Sequence, residues 1–148
     1  MEKLLWSIAL PGFGQILNGK YFKGILFIAV ELLINVQSNF NQVILLSFNG
    51  DIQTAVHRAN YQWLMFYPCL YFFAMWDAYK DAGGEKSPYS FLPFVCTAYF
   101  VTVGLIYSSS FKLYGILLGP IWLPILFVPI GIGVGLLTKY VVLKLKSC

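Results

Sequence analysis

The chain has 148 residues, 59% of them hydrophobic and 11% charged, with a formal net charge of +4. An ordinary soluble domain is charged at roughly a quarter of its positions, so a soluble fold of this length would leave much of this apolar surface facing water. The basic residues are scattered at segment ends and form no cluster, which argues against a nucleic-acid-binding face and makes the lipid bilayer the expected partner.

Five apolar stretches follow one another, at residues 4–17, 21–36, 61–76, 89–107 and 113–137. The first is cut by Pro11, Gly12 and Gly14. Even unbroken, about 14 residues at 1.5 Å each reach about 21 Å, short of a hydrocarbon core of about 30 Å. Residues 1–19 are therefore expected to form a re-entrant or interfacial segment. Lys3 before a short apolar run also fits a signal peptide, but no small-x-small cleavage site follows and Pro11-Gly12 comes at once, so a retained membrane segment is favoured.

Residues 20–38 are expected to be the first transmembrane helix. Its many Ile, Leu, Val and Phe side chains offset the cost of one acid, Glu31. Residues 39–60 are mixed, with a turn at Asn49-Gly50-Asp51, and are expected to be an external loop with a membrane-hugging portion. A second transmembrane helix is expected over 61–77, with a kink between Leu64 and Pro68 where the proline lacks an N–H. Residues 78–88, with Lys80, Asp81, Glu85 and Lys86, read as a cytoplasmic loop, and Asp77, Lys80 and Asp81 as a solvated helix end.

Transmembrane helices over 89–108 and 113–138 complete the expected set, joined at Ser108-Ser109-Ser110 as a hairpin. Gly115/Gly119 and Gly131/Gly135 have the spacing that lets helices approach closely in lipid, with intramolecular packing favoured over a dimer seam. Pro120, Pro124 and Pro129 are expected to interrupt the first part of this last stretch.

Together these elements predict an all-α integral membrane protein: four transmembrane helices preceded by a short re-entrant or interfacial N-terminal helix. If the first stretch does not cross, Lys3, Lys20, Lys23, Lys80, Lys86, Lys139, Lys144 and Lys146 lie on one side and only Arg58 and Lys112 on the other. That asymmetry places both termini in the cytoplasm of a multi-pass cell-membrane protein.

The most distinctive local pattern is Pro11-Gly12-Phe13-Gly14-Gln15 followed by Asn18-Gly19-Lys20 and Lys23-Gly24. Pro11, Gly12 and Gly14 permit a sharp structural turn, within which Gln15 and Asn18 are placed to satisfy exposed backbone groups. The run over 11–24 resembles the entry motif of small bacterial membrane proteins related to the TM-two domain family, and is similar to a run near the N-terminus of some sugar ABC-transporter permeases. Trp76-Asp77-Ala78-Tyr79, followed by Lys80, resembles the Asp-Ala-Tyr signature that closes the second helix in many members. The resemblance covers about the first 80 residues, with a longer loop between the matched segments than is typical. It implies membrane architecture and no catalytic residues.

In the first long helix, Lys20, Gly24, Glu31, Asn35 and Ser38 fall within a wedge of about 60° at the helical period, forming a polar stripe. An intramembrane acid is costly and normally paired, so this face is expected to turn away from lipid. Two readings stay open for the candidate polar site of Glu31, Asn35 and Ser38. One is an interhelical contact, which is favoured; the other is a proton or cation site, with Tyr67 or Tyr71 as hydrogen-bond partners.

No cofactor or metal site is expected. Cys69, Cys96 and Cys148 are far apart, without CxxC or Cys/His spacing. Cys69 and Cys96 read as small hydrophobes. The lone His57 has no catalytic partner pattern, and phosphate-loop, nucleophile-elbow and HExxH motifs are absent. The expected function is that of a non-enzymatic accessory or assembly subunit, packing against other membrane proteins through its helices. The alternative is a small transporter or ion-conducting protein that uses the stripe centred on Glu31.

Overall fold

The computed structural model describes residues 2–84 and 88–146. Glu85 and Lys86 of the expected cytoplasmic loop, and Cys148, lie outside the described residues. The structure is helical apart from one short hairpin.

The N-terminal segment forms two short helices, α1 (Glu2–Ala9) and α2 (Phe13–Leu17), separated by a break at residues 10–12. Gly12 supports that break with a φ of +103°, a region that side-chain-bearing residues rarely occupy. Its backbone also crosses the start of α3 (Tyr21–Ser38). A Cβ on Gly12 would lie 2.5 Å from the Gly24 carbonyl oxygen, and one on Gly24 would lie 2.8 Å from the Gly12 carbonyl oxygen. The expected turn is thus present at Pro11 and Gly12, whereas Gly14 lies within α2; all three are buried.

Residues 39–60, expected as a loop, instead fold into two helices, α4 (Phe40–Phe48) and α5 (Ile52–Arg58). The Asn49-Gly50 turn is where expected, but its flanks are helical for identifiable reasons. Asn39, at φ 57°, turns the chain sharply after α3 and donates from Nδ2 to the Arg58 carbonyl at 3.1 Å. Asp51 caps α5 by accepting from the Thr54 N–H at 3.2 Å. Val43 and Ala55 then bury against Ile121, with Phe40, Ile44, Leu46 and Ala59 packed around them. A run too short to span is therefore long enough to build a helical cap with its own apolar core.

The next apolar stretch divides into α6 (Tyr61–Leu64) and α7 (Phe66–Asp81), broken at Met65. The break lies at the expected kink, where Pro68 cannot donate to the Leu64 carbonyl. α7 continues to Asp81, four residues beyond the expected helix end at 77.

α8 (Leu92–Tyr107) begins after Tyr89, whose φ of 56° ends the preceding turn. The last stretch departs further from expectation. Its first residues form an antiparallel hairpin, β1 (Lys112–Leu113) and β2 (Ile116–Leu117), with Leu113 opposite Ile116. Tyr114 and Gly115 both have positive φ, as the tight two-residue turn between twisted strands requires. α9 then runs unbroken over Gly119–Lys146, with Pro124 and Pro129 inside it.

The most extensive helix contact is between α8 and α9. Gly131 and Gly135 make it possible. A Cβ on either would lie 2.5 Å from backbone, at the Cα of Thr97 and of Pro93 respectively. The expected intramolecular role of this glycine pair is therefore observed. Gly115 and Gly119 do not form a second such pair, because Gly115 lies in the hairpin turn and Gly119 faces Ile52.

Among the described residues two helices, α3 and α9, are long and apolar enough to cross a membrane, against the four expected. The difference has local causes. Met65 divides one stretch, α7 carries Asp77, Lys80 and Asp81 in its last turns, and α8 is apolar but has only 16 residues.

Candidate functional site

The polar side chains of the Pro11–Lys23 region converge on the end of α7. Gln15 is fully buried, and its Nε2 donates both to the Ala74 carbonyl at 2.7 Å and to Asp77 Oδ2 at 3.1 Å. Asn18 Nδ2 donates to the Ala78 carbonyl at 2.9 Å. Lys23 Nζ donates to Asp77 Oδ1 at 2.8 Å and lies 3.6 Å from Asp81 Oδ2. A further tie is made earlier on the same helix, where the Tyr71 hydroxyl donates to the Ile8 carbonyl.

These bonds differ in strength for physical reasons. A buried hydrogen bond to a charged group contributes about 1.5–3 kcal/mol, and Gln15 makes such a bond to Asp77 out of contact with solvent. The Lys23 side chain is 46% exposed, so its ion pair is screened and contributes less. Gln15 Oε1 and Asn18 Oδ1 are buried without a donor among the described residues, so both amides act here as donors only.

This cluster corrects two expectations. Gln15 and Asn18 satisfy carbonyls of α7 rather than backbone groups within their own turn. Asp77 is buried rather than solvated, because it receives both Gln15 and Lys23. Periodicity gave no sign of this pairing between residues about 60 apart in sequence.

The stripe on α3 turns largely inward. Gly24, Glu31 and Ser38 are buried, Asn35 is half-buried and Lys20 is exposed. Glu31 is 5% exposed; Asn35 hydrogen-bonds it, and its Oε2 has no donor among the described residues. Asn35 also donates to Asn41 Oδ1 at 3.1 Å, and Ser38 Oγ donates to the Asn35 carbonyl at 3.3 Å. Of the two tyrosines considered as partners, Tyr67 lies within electrostatic reach of Glu31, whereas Tyr71 is bonded elsewhere. The Tyr67 ring packs 4.4 Å from Phe40 and 5.8 Å from Tyr71, while the Tyr71 hydroxyl is bonded to Ile8. Glu31, Asn35 and Ser38 thus form one continuous chain of polar contacts, separate from the cluster around Asp77.

A cavity of about 430 Å³ lies between α1, α4, α7, α8 and α9, bordered by Ile8, Phe40, Tyr67, Tyr71, Leu105 and Pro124. Its walls are mostly apolar. His57 is exposed on α5, where its Nδ1 donates to the Gln53 carbonyl at 2.7 Å. Cys69 and Cys96 are free thiols. No group of three potential metal-ligating side chains occurs among the described residues. Comparison with protein-family models, curated proteins and solved structures finds no match.

Proposed function

We propose that this chain is a non-enzymatic multi-pass membrane protein that acts as an accessory or assembly subunit through helix packing. The carrying observation is how its polar groups are used. Gln15, Asn18, Lys23 and Asp77 join one helix to another, while the outer face of α3 presents Phe22, Ile25, Leu32 and Val36 without a covering element. A surface of this kind suits lipid and the helices of other membrane proteins.

In this reading α3, α6 with α7, α8 and α9 provide four crossings, and α1 with α2 dips into the membrane and returns. The contacts along α7 trace the limb of this path that leads into α3. Ile8, Gln15 and Asn18 bond to Tyr71, Ala74 and Ala78 in turn, so residues 8–18 follow α7 over seven residues, about 10 Å of helix. That depth is a third of a hydrocarbon core of about 30 Å. Both termini then lie in the cytoplasm with most of the lysines. The resemblance to the TM-two domain family belongs to the same proposal, and its two matched segments are the ones in contact. Gentle extraction after expression at native level, followed by quantitative crosslinking, tests the assembly role: a stable association with another membrane protein is expected, and a solitary monomer overturns it.

Glu31 supports a second reading, a small transporter or ion-conducting protein. A nearly buried carboxyl group with one unpartnered oxygen is a costly arrangement, and such groups in membrane helices mark ion pathways as well as helix contacts.

A further inference from the structure

A second apolar concavity runs along the outer surface between α7 and α8, with a volume of about 620 Å³. Cys69, Phe72, Phe73, Trp76, Phe94 and Tyr99 are among its lining residues. From Phe91 to Thr102 it follows α8 for 11 residues, about 16 Å. It is a groove rather than an enclosed cavity, and its walls are aromatic and aliphatic.

The charge at its ends is unequal. Where α7 ends and α8 begins, Lys80 Nζ lies 5.5 Å from the centre of the Trp76 ring, and Trp76 is part of the groove wall. At the same end Lys146 Nζ lies 5.3 Å from the centre of the Tyr89 ring, which packs on Phe91, another wall residue. The neighbouring acids Asp77 and Asp81 face Lys23 on the α3 side of α7. The N-terminal turn of α8, with the positive end of its helix dipole, opens at this end as well. Cys69, Tyr99 and Thr102 at the far end bring no charge.

An apolar trough with cations at one end matches an amphiphile with an apolar chain and an anionic head. We infer that the α7–α8 groove holds the acyl chain of an anionic phospholipid, with its headgroup phosphate at Lys80 and Lys146. The inference rests on the membrane embedding proposed above. A lysine near an anionic lipid surface contributes about 1 kcal/mol, which corresponds to about a five-fold preference for each residue.

The test uses the purified full chain in detergent and native mass spectrometry. Phosphatidylglycerol and phosphatidylcholine with identical acyl chains are titrated in parallel. Phosphatidylglycerol is expected to occupy one saturable site at least five-fold more readily, and added salt to weaken that preference. Lys80→Gln with Lys146→Gln should bring the two lipids to parity, while Lys80→Arg with Lys146→Arg should keep the difference. Bound phosphatidylglycerol should also slow alkylation of Cys69, at the far end of the groove where the acyl chain would end, in a chain carrying Cys96→Ser and Cys148→Ser. Equal occupancy by the two lipids, a salt-independent preference, or unchanged Cys69 reactivity overturns the inference. Its failure is distinguishable from failure of the membrane reading, which would appear as release of the chain from membranes by alkaline carbonate.

Discussion

Gln15 and Asp77, 62 positions apart in sequence, share a buried hydrogen bond of 3.1 Å that fastens α2 to α7. Replacing Gln15 with Leu removes this bond and the one to the Ala74 carbonyl, leaving a carboxylate oxygen with one donor fewer. A buried polar group left unsatisfied costs about 1–3 kcal/mol, so Gln15→Leu should lower the thermal midpoint of the purified protein by several degrees. A midpoint within one degree of the wild type would count against this account of the contact.

Asp77 and Lys23 are expected to respond unequally. Asp77 is buried and accepts from two residues, whereas Lys23 is half-exposed and supplies a screened charge. Asp77→Asn should therefore destabilise more than Lys23→Gln, and the loss in the Lys23 variant should shrink at high salt. Thermal unfolding of both variants at low and high ionic strength decides the order.

The α8–α9 contact yields a paired prediction on one helix. Gly131→Ala places a methyl group 2.5 Å from the Thr97 Cα, which is backbone and cannot swing aside. Overpacking of this kind typically costs about 1–3 kcal/mol. Gly133→Ala, two residues away, meets nothing within 4 Å and should be neutral or slightly stabilising, since Ala is the better helix former. Equal effects of the two substitutions in an unfolding assay would contradict the packing described.

For Glu31 the two readings diverge in one experiment. As a packing contact, Glu31→Gln should keep its bond to Asn35 and leave the fold intact. As an ion site, the same change should abolish proton- or cation-dependent flux in reconstituted vesicles. Wild-type and variant vesicles with the same flux would remove the transport reading.

The parts of this fold legible in the sequence are those governed by local chemistry. The bend at Pro11-Gly12, the α3 boundaries, the break before Pro68 and the turn at Asn49-Gly50 all follow from residues that constrain their own backbone. The rest depended on partners far along the chain. Val43 and Ala55 become helical core only because Ile121 packs on them. The Leu113–Leu117 run read as helix from its apolarity, yet Tyr114 and Gly115 turn it into a hairpin. Burial of Asp77 was hidden for the same reason, since an acid beside Lys80 and Asp81 reads as solvated until Gln15 is brought against it. The inward turn of Glu31 agrees with helical periodicity, whereas the bond from Tyr71 to the Ile8 carbonyl had no signal in spacing.

In the proposed topology α1 and α2 enter the membrane and return to the side they came from, leaving four crossings and cytoplasmic termini. Single cysteines at Lys3→Cys, Asp51→Cys, Glu85→Cys and Lys112→Cys, in a chain whose native cysteines are serine, test it most directly. With a membrane-impermeant maleimide on intact cells, Asp51→Cys and Lys112→Cys should react, while Lys3→Cys and Glu85→Cys should react only after the membrane is opened. Labelling of Lys3→Cys from outside, together with Asp51→Cys, would mean that the first segment crosses and would contradict the account.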